Sequence, residues 1–206
     1  MSLYERYETL KTQKESIENA KNAIIKSFES GGKLLLCGNG GSCADCEHIV
    51  GELMKGFMSK RPLSEEQKRE MLDNAGFIDE KWLDELQGAL PAISLTSASA
   101  LNTAFCNDVN PELIYAQQLM GLAKKEDMLF CISTSGNSKN VCAAATVGKA
   151  LGITVIGLTG KSGGKLKEIA DICICAPETE TYKVQELHLP VYHYLCAEVE
   201  KHFFNS

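Results

Sequence analysis

Residues 33–52 read KLLLCGNGGSCADCEHIVGE, an apolar run that ends in a glycine-rich turn and continues into a helix-compatible segment. The apolar run, Lys33–Cys37, does not alternate with polar residues, which is typical of a strand buried on both faces of a parallel sheet. The pattern after the turn predicts a helix over Ser42–Phe57. The stretch therefore predicts a strand, a turn and a helix in succession, the repeating unit of doubly wound α/β domains.

The same succession recurs along the chain. Short apolar runs predict four further strands, at Pro91–Leu95, Met128–Ile132, Ile153–Leu158 and Ile172–Cys175. Helical patterns accompany them, at Tyr4–Ser30, Pro111–Ala123, Ser138–Leu151, Gly163–Ala170 and Val184–Phe203. This alternation predicts a single α/β domain over residues 1–206, with one doubly wound, five-stranded parallel sheet flanked by helices.

Residues 63–90 interrupt the alternation. The segment is charged, has no strand-like run and shows helical periodicity over Glu65–Leu72 and Glu80–Leu86. We interpret it as a helical insertion that carries the only tryptophan, Trp82. Two hypotheses stay open for it: a solvated helical hairpin, which we favour, and a lid over a pocket.

The composition excludes several classes of function. The 206 residues carry a formal net charge of −6, which gives no general attraction to nucleic acid or to an anionic membrane. No apolar run is long enough to span a membrane, and the polar N-terminus lacks the pattern of a secretory signal. The nine cysteines, an odd number mostly in apolar runs, predict reduced thiols in a cytoplasmic protein.

Two loops after predicted strands have the composition of ligand-binding turns: residues 38–42 (GNGGS) and residues 133–138 (STSGNS). Each opens a helix, whose free N–H groups and positive dipole end attract anions. Four hydroxyl side chains in six positions suit a phosphate better than a carboxylate. The alternative for either loop is an ordinary turn, with Ser138 as a helix N-cap, but the two loops together favour a ligand crevice. Neither loop matches a nucleotide-binding motif, so the predicted ligand is a small phosphate ester.

Histidine and carboxylate side chains follow the first loop at helical spacing. His48 and Glu52 are four residues apart, so they share a helix face and can converge on one metal ion or one substrate. The last helix adds Gln185, His188 and His193. A surface pair is the ordinary interpretation of His48 and Glu52 alone, but their place just after a phosphate-type loop favours a functional role.

A competing interpretation takes Cys43-x-x-Cys46 as half of a zinc knuckle or as a redox pair. No second CxxC or His-x-His follows at zinc-finger spacing. A structural zinc site at these cysteines is therefore the weaker hypothesis.

The chain resembles the phosphoheptose isomerases of the sugar isomerase (SIS) family over nearly its full length. The matching stretches are CGNGGS, HIVGE, NDVNPEL, ISTSGNS, GLTGKSGGKL and VQELHLPVYH. The resemblance implies a flavodoxin-like SIS fold and assembly as a cytoplasmic homotetramer. It also implies isomerisation of sedoheptulose 7-phosphate to D-glycero-D-manno-heptose 7-phosphate.

The resemblance further implies roles for individual residues. The phosphate would be held by Ser133, Thr134, Ser135 and Ser138. The rest of the substrate would contact Asn39, Gly40, Gly41, Ser42, Glu52, Asn107, Asp108 and Gln185. One zinc ion would be bound by His48, Glu52, Gln185 and His193, with Glu52 and His193 as the acid/base pair.

The chain departs from the family pattern in three places. Cys43 follows Ser42 where the family has histidine, Tyr182-Lys183 stands where it has Asp-Arg, and residues 63–90 are additional. These departures leave the exact sugar phosphate open. The alternative function is a non-catalytic SIS protein that binds a phosphosugar or a replication initiator. The initiator-binding relatives lack the residues at Glu52 and His193, so the presence of both favours the isomerase.

Isomerisation needs a base beside the carbonyl and an acid or Lewis acid at its oxygen. Glu52 suits the first role, His193 suits proton transfer, and zinc would polarise the carbonyl. Gln185 and His193 are eight residues apart, roughly 12 Å of helix rise, so one helix can hardly supply both to one ion. We therefore expect an active site shared between subunits, with Gln185 from one chain and His193 from its neighbour.

Overall fold

The computed structural model describes residues 3–204, so residues 1–2 and 205–206 of the predicted 1–206 domain lie outside the described residues. At its centre is a five-stranded sheet in which all neighbouring strands are parallel, in the order β2-β1-β3-β4-β5. The strands are β1 Leu34–Gly38, β2 Ala92–Ser94, β3 Met128–Ser133, β4 Thr154–Thr159 and β5 Ile172–Cys175. The predicted doubly wound, five-stranded parallel sheet is confirmed.

Helices occupy most of the remaining described chain. They are α1 Leu3–Arg6, α2 Lys14–Glu29, α3 Gly41–Met54, α4 Glu65–Asn74, α5 Glu80–Glu85, α6 Ser99–Asp108, α7 Ile114–Leu122, α8 Lys139–Ala150, α9 Gly164–Ile169 and α10 Thr181–Phe204. Short 3-10 segments precede α2 and α7, at Glu8–Gln13 and Pro111–Leu113.

Helices cover both faces of the sheet. Since successive side chains of a strand point to opposite sides, each strand contributes to two cores. Leu34 and Leu36 of β1 belong to the core that contains residues of α2, α3 and α10. Leu35 belongs to the other core, with residues of α7, α8 and α9. α3 and α10, which together carry the four predicted metal ligands, therefore pack side by side on one face.

The predicted single helix over Tyr4–Ser30 is wrong in its first part, where α1 and α2 are separated by the 3-10 segment. Tyr7 has a non-helical backbone, with φ −127° and ψ 77°. The Thr12 hydroxyl donates to the Thr9 carbonyl at 3.1 Å, and such side-chain bonds compete with regular helix. Leu10 is fully buried, so tertiary packing overrides the helical pattern here.

The sequence did not predict α6. None of its residues is buried, and SALNTAFCND presents no continuous apolar stripe at helical spacing. The helix is tied to the turn that follows β2 by Asn102, whose amide donates to the carbonyls of Leu95 and Thr96 at 3.2 Å each.

Residues 63–90 contain two helices, α4 and α5, close to the predicted positions. Ser64 and Gln67 form a capping box that begins α4. The base of the segment is fixed by a bridge between Pro62 and Gln87, and Leu83 of α5 is buried. No residue of α4 is buried, which favours the solvated hairpin over the lid. That these residues are an insertion within a single domain stays a prediction.

All nine cysteines are free thiols. Among residues 3–204, none of the helices combines the length and the hydrophobicity that crossing a membrane would require.

Candidate active site

The carboxyl ends of β1 and β3 mark the point where the strand order reverses. These strands are neighbours, but the chain continues from β1 to β2 on one side and from β3 to β4 on the other. Ligands of open parallel sheets bind in the crevice outside such a switch point. Residues 38–42 and 133–138, the two loops identified from the sequence, follow these two strands.

The first loop is held to α8 through Asn39. Its side-chain amide exchanges two hydrogen bonds with that of Asn140, at 2.8 and 2.9 Å. The Tyr115 hydroxyl donates to the Gly38 carbonyl at 2.8 Å and lies 3.1 Å from the Asn39 side-chain oxygen. Burial raises the pKa of Tyr115, so its phenol stays protonated as a donor. The two ligand loops are thus linked through α8.

Glycine is required twice in this first loop. Gly40 has φ +56°, in the left-handed region. A β-carbon on Gly41 would lie 2.2 Å from the side-chain nitrogen of Gln185, so Gln185 packs directly over the start of α3. Ser42 is buried, and its N–H donates to the Asn39 carbonyl at 3.0 Å.

The backbone of the second loop is fixed by residues 160–166. The Gly160 N–H donates to the Thr134 carbonyl, and the Leu166 N–H donates to the Gly136 carbonyl, both at 2.9 Å. Gly136 has φ +65°, and a β-carbon there would lie 1.9 Å from the carbonyl oxygen of Gly163. The loop therefore has a single, tightly packed path that only glycine permits at this position.

Three of the four hydroxyl groups of the second loop contact each other or the loop backbone. Ser133 and Ser138 lie with their hydroxyl oxygens 3.0 Å apart, and Ser135 accepts the Asn137 N–H at 3.1 Å. Ser138 occupies the N-cap position of α8, but its side chain makes no capping hydrogen bond. The first-turn N–H groups of α8 are thus not taken up by the Ser138 hydroxyl.

α3 and α10 bring His48, Glu52 and His193 together. The Nε2 atom of His48 lies 3.1 Å from Oε1 of Glu52 and 3.4 Å from Nε2 of His193. One ligand atom of each residue lies within 4.8 Å of the others. The second oxygen of Glu52 is buried without a hydrogen bond, with the Lys55 ammonium 3.6 Å away. Two imidazoles and a carboxylate are a donor set that zinc accepts.

The environment of His193 favours its neutral form. Burial lowers its pKa, the neighbouring His48 lowers it further, and Glu52 opposes both effects. A neutral imidazole can bind a metal ion or accept a proton, whereas the imidazolium can do neither.

Asp45 and Tyr192 lie behind His48. The Tyr192 hydroxyl lies 3.0 Å from Nδ1 of His48 and 3.2 Å from Oδ1 of Asp45. Burial raises the pKa of Tyr192, and Asp45 raises it further. Burial also raises the pKa of Asp45, against the effects of the Tyr192 hydrogen bond and of His48.

Other candidate residues lie outside this cluster. His188 is fully buried, with Nε2 3.1 Å from the Thr159 carbonyl oxygen. Asn107 and Asp108 are exposed at the end of α6, where the Asn107 amide donates to Asp108 at 2.8 Å. Within residues 3–204, no hydrogen bond joins either of them to His48, Glu52 or His193.

The position of His193 bears on the expected sharing of the site between subunits. His193 meets His48 and Glu52 within one chain, so a neighbour is not needed to supply it. Gln185 lies against Gly41 in the same chain. It is near the start of α10, eight residues before His193. Assembly of the site from two subunits stays a prediction.

The CxxC interpretation has no support from the geometry. The one group of three or more possible metal ligands in the described chain is His48, Glu52 and His193. Cys46 is fully buried, and burial raises the pKa of its thiol well above its usual value, which disfavours the thiolate that binds metals.

Sequence reasoning did not identify Asp45, Tyr192, Tyr115 or Asn140 as parts of the site. Asp45 precedes His48 by three residues, which places it on the same helix face, and this spacing could have indicated it. Tyr192 precedes His193 in the last helix. Tyr115 and Asn140 have no such signal, because their contacts depend on the packing of α7 and α8 against the first loop.

Comparison with known proteins places this geometry in a family context. SIS-domain family models match residues 2–91 and residues 93–196. The phosphoheptose isomerase of Roseiflexus sp. (strain RS-1) is 36% identical over 198 residues, which are 96% of this chain and 87% of that protein.

Solved structures agree with this. A phosphoheptose isomerase from Neisseria gonorrhoeae has a TM-score of 0.76 at 28% identity, covering 95% of this chain and 91% of that one. Another from Francisella tularensis has a TM-score of 0.75 at 30% identity, covering 95% of this chain and 90% of that one.

Proposed function

We propose that this chain, which belongs to the phosphoheptose isomerase family of SIS-domain proteins and is an aldose–ketose isomerase of phosphosugars, interconverts sedoheptulose 7-phosphate and D-glycero-D-manno-heptose 7-phosphate by metal-assisted proton transfer. The observation that carries the proposal is that His48 and Glu52 of α3 meet His193 of α10. Their helix, α3, begins at the ligand crevice.

The second loop supplies the phosphate site in this proposal. Ser133, Thr134, Ser135 and Ser138 offer hydroxyl donors, and α8, which begins directly after them, directs its positive dipole end to the same place. The path fixed by Gly136 keeps these donors preorganised, so that little ordering is needed when the phosphate binds. The sugar would extend from there toward Asn39, Gln185 and the His48 cluster.

Proton transfer is assigned to Glu52 and His193. Conversion of a 2-ketose to an aldose removes a proton from C1 and returns a proton to C2, through an enediol in which the carbonyl has gained a proton on oxygen. The Glu52 carboxylate takes and returns the carbon-bound proton. His193, whose environment favours its neutral form, passes the oxygen-bound proton between O1 and O2 through the ring nitrogen that does not face His48.

The residues present fit a bound zinc ion. His48, Glu52 and His193 would hold it, and the family resemblance adds Gln185. Zinc, when bound, supplies a Lewis acid for the carbonyl oxygen. Glu52 has one oxygen facing His48 and a second, buried oxygen without a hydrogen bond, so its two oxygens can divide the roles of ligand and base.

The proposal includes the setting of the enzyme. We propose a cytoplasmic homotetramer, in line with the family resemblance and with nine free cysteines. The contacts of Asn107 and Asp108 with substrate are part of the same proposal.

A panel of five-, six- and seven-carbon ketose and aldose phosphates tests the function. The purified protein is incubated with each compound in D₂O, with and without zinc after chelator treatment, and products are followed by NMR. We expect interconversion of the two heptose 7-phosphates with deuterium incorporated at C2, and loss of rate after chelation.

The outcomes separate the parts of the proposal. Turnover of another phosphosugar in preference to the heptose would contradict the substrate. Full activity without metal would contradict the metal-assisted step. Binding of phosphosugars with no turnover of any of them would favour the non-catalytic alternative.

A further inference from the structure

The two ring nitrogens of His48 face different partners. Nε2 faces Glu52 and His193, at 3.1 and 3.4 Å. Nδ1 faces the hydroxyl of Tyr192, at 3.0 Å, and that hydroxyl lies 3.2 Å from Oδ1 of Asp45. Neither Tyr192 nor Asp45 has a role in the function proposed above, so the purpose of this chain of polar contacts is open.

The number of available protons determines which group donates and which accepts in each of these hydrogen bonds. A phenol has one proton, so Tyr192 can donate either to Asp45 or to His48. An ionised carboxylate can only accept, and it is a stronger acceptor than a neutral imidazole nitrogen. Tyr192 therefore donates to Asp45, and its oxygen is left to accept a proton from Nδ1 of His48.

We propose that Tyr192, held by Asp45, is a positioning residue that keeps a proton on Nδ1 of His48 and leaves Nε2 as the atom that faces Glu52 and His193. The inference rests on the proposed metal-assisted function for its purpose, because Nε2 is the atom that would serve the metal. Partners of this kind orient metal-binding histidines and set which nitrogen is free to bind.

Packing holds the partners in place. Tyr192 is 1% exposed, and its ring meets the His48 ring edge to face, with centroids 5.4 Å apart. The second oxygen of Asp45 is buried without a hydrogen bond among the described residues, so no other side chain competes for the carboxylate there. His48 therefore cannot rotate without losing both the ring contact and the Nδ1 hydrogen bond.

The opposite order of protons would have a different consequence. If Asp45 were protonated and donated to Tyr192, then Tyr192 would donate to Nδ1 of His48. The neutral ring would then carry its proton on Nε2, where it could not bind a metal ion. The location of the proton on His48 therefore decides between the two arrangements.

The test compares Tyr192→Phe with Tyr194→Phe. Tyr194 lies two positions further along α10, and its hydroxyl donates to Glu18 at 2.7 Å, away from His48. Long-range ¹H–¹⁵N NMR of the histidine rings, in metal-free and zinc-loaded protein, locates the proton on His48. Competition with a chromophoric chelator measures zinc affinity, independently of activity.

We expect Nδ1 of His48 to be protonated in the unmutated protein, both without and with zinc. Tyr192→Phe should lower zinc affinity about 10–100-fold and speed the exchange of the Nδ1 proton with solvent. Tyr194→Phe should change neither, while losing a comparable hydroxyl.

An unprotonated Nδ1 in the unmutated protein would overturn the inference, even if Tyr192→Phe failed to fold. Unchanged zinc affinity in a folded Tyr192→Phe variant would also overturn it. A protonated Nδ1 that Tyr192→Phe exposes to exchange, in a protein that binds no zinc, would support the positioning and refute the metal-assisted function. An unprotonated Nδ1 in an active, zinc-binding enzyme would do the reverse.

Discussion

Two polar clusters join α3 to α10, and they are built in opposite ways. The first lies just beyond the end of α3, where Nε of Arg61 donates to Oε1 of Glu200 at 2.7 Å with both side chains fully buried. The second consists of His48, Glu52 and His193 and is partly exposed. The polar groups of the first cluster all have hydrogen-bond partners within the protein, whereas those of the second, among residues 3–204, do not.

Every charged group in the first cluster has matching partners. Arg61 also donates to the carbonyls of Leu53 and Glu52, at 2.7 and 3.0 Å, which satisfies the end of α3. Glu200 accepts the N–H groups of Phe57 and Met58, at 2.8 and 2.6 Å. Burial alone would raise the pKa of Glu200, but these N–H groups and Arg61 bring it below its usual value.

The second cluster has more acceptors than donors. A carboxylate and two imidazoles converge, and the buried Oε2 of Glu52 has no hydrogen bond among the described residues, only the exposed Lys55 ammonium at 3.6 Å. Such an arrangement gains from a cation or a mobile proton, whereas the Arg61–Glu200 pair would gain from neither. The two clusters therefore differ in whether their hydrogen bonds are satisfied. The satisfied cluster stabilises the fold, and the unsatisfied one is suited to binding or catalysis.

The largest expected effect comes from breaking the first cluster. Arg61→Met leaves Glu200 buried without its counter-charge, and loss of one partner of a buried pair typically costs about 3–5 kcal/mol. We expect a loss of that size in the free energy of unfolding, measured by denaturant titration at neutral pH.

Two controls define that result. Removing both charges, with Arg61→Met and Glu200→Leu, should recover much of the loss, because no unpaired buried charge remains. Lys68→Met breaks two surface ion pairs, with Glu65 and Asp84, and should change the unfolding midpoint far less. An Arg61→Met variant as stable as the unmutated protein would show that Glu200 is not the buried, dependent group described here.

The second cluster should respond in activity rather than stability. Glu52→Gln and His193→Asn should each lower the turnover of the phosphosugar substrate at least ~100-fold, the usual scale of lost acid–base catalysis. The free energy of unfolding should change little, because neither substitution leaves a buried charge unpaired. Steady-state kinetics and denaturant titration on the same preparations measure both.

Glu47→Gln is the matched control for this experiment. Glu47 lies on the same helix, and its carboxylate accepts only from Thr96 and Ser97 in the described chain, at 3.3 and 3.4 Å. It should retain activity. Near-normal turnover in Glu52→Gln and His193→Asn would remove both residues from the catalytic role, whatever their proximity.

The sheet could be predicted from the sequence because its signal is local. Each strand is a short, nearly continuous apolar run, and the order of strands and helices leaves few right-handed arrangements. The first helix and α6 could not be predicted, for opposite reasons. Burial of Leu10 overrides the helical pattern in the first, and α6 buries no residue that would mark its face.

The candidate site divides in the same way. His48 and Glu52 could be predicted as site residues because they lie four residues apart on one helix. That His193 joins them, while Gln185 lies against Gly41, depends on how α10 packs across α3, which no local pattern encodes. Arg61 and Glu200 are 139 positions apart in the sequence, so their pairing could not be predicted from a local pattern either.

The smallest effect we predict concerns His188, five residues before His193 on α10. His188 is fully buried, and in its neutral form Nε2 donates to the Thr159 carbonyl at 3.1 Å. Burial lowers its pKa from 6.5 to about 4, against the hydrogen bond to Thr159. The unfolded chain therefore binds a proton at this residue between those two values, and the folded protein does not. Stability must fall as the pH falls through this window.

The loss attributable to His188 between pH 7 and pH 5.5 is about 1 kcal/mol, from the linkage of the two pKa values. His188→Gln keeps a side-chain donor for the Thr159 carbonyl but does not titrate, so it should flatten the decline in unfolding free energy by that amount. The comparison of slopes does not depend on whether the substitution itself lowers stability. Parallel pH profiles for the two proteins would mean that His188 binds protons equally well in the folded and unfolded states, without a lowered pKa in the fold. His188 would then belong with the second, chemically responsive kind of polar group rather than with the buried, structural kind.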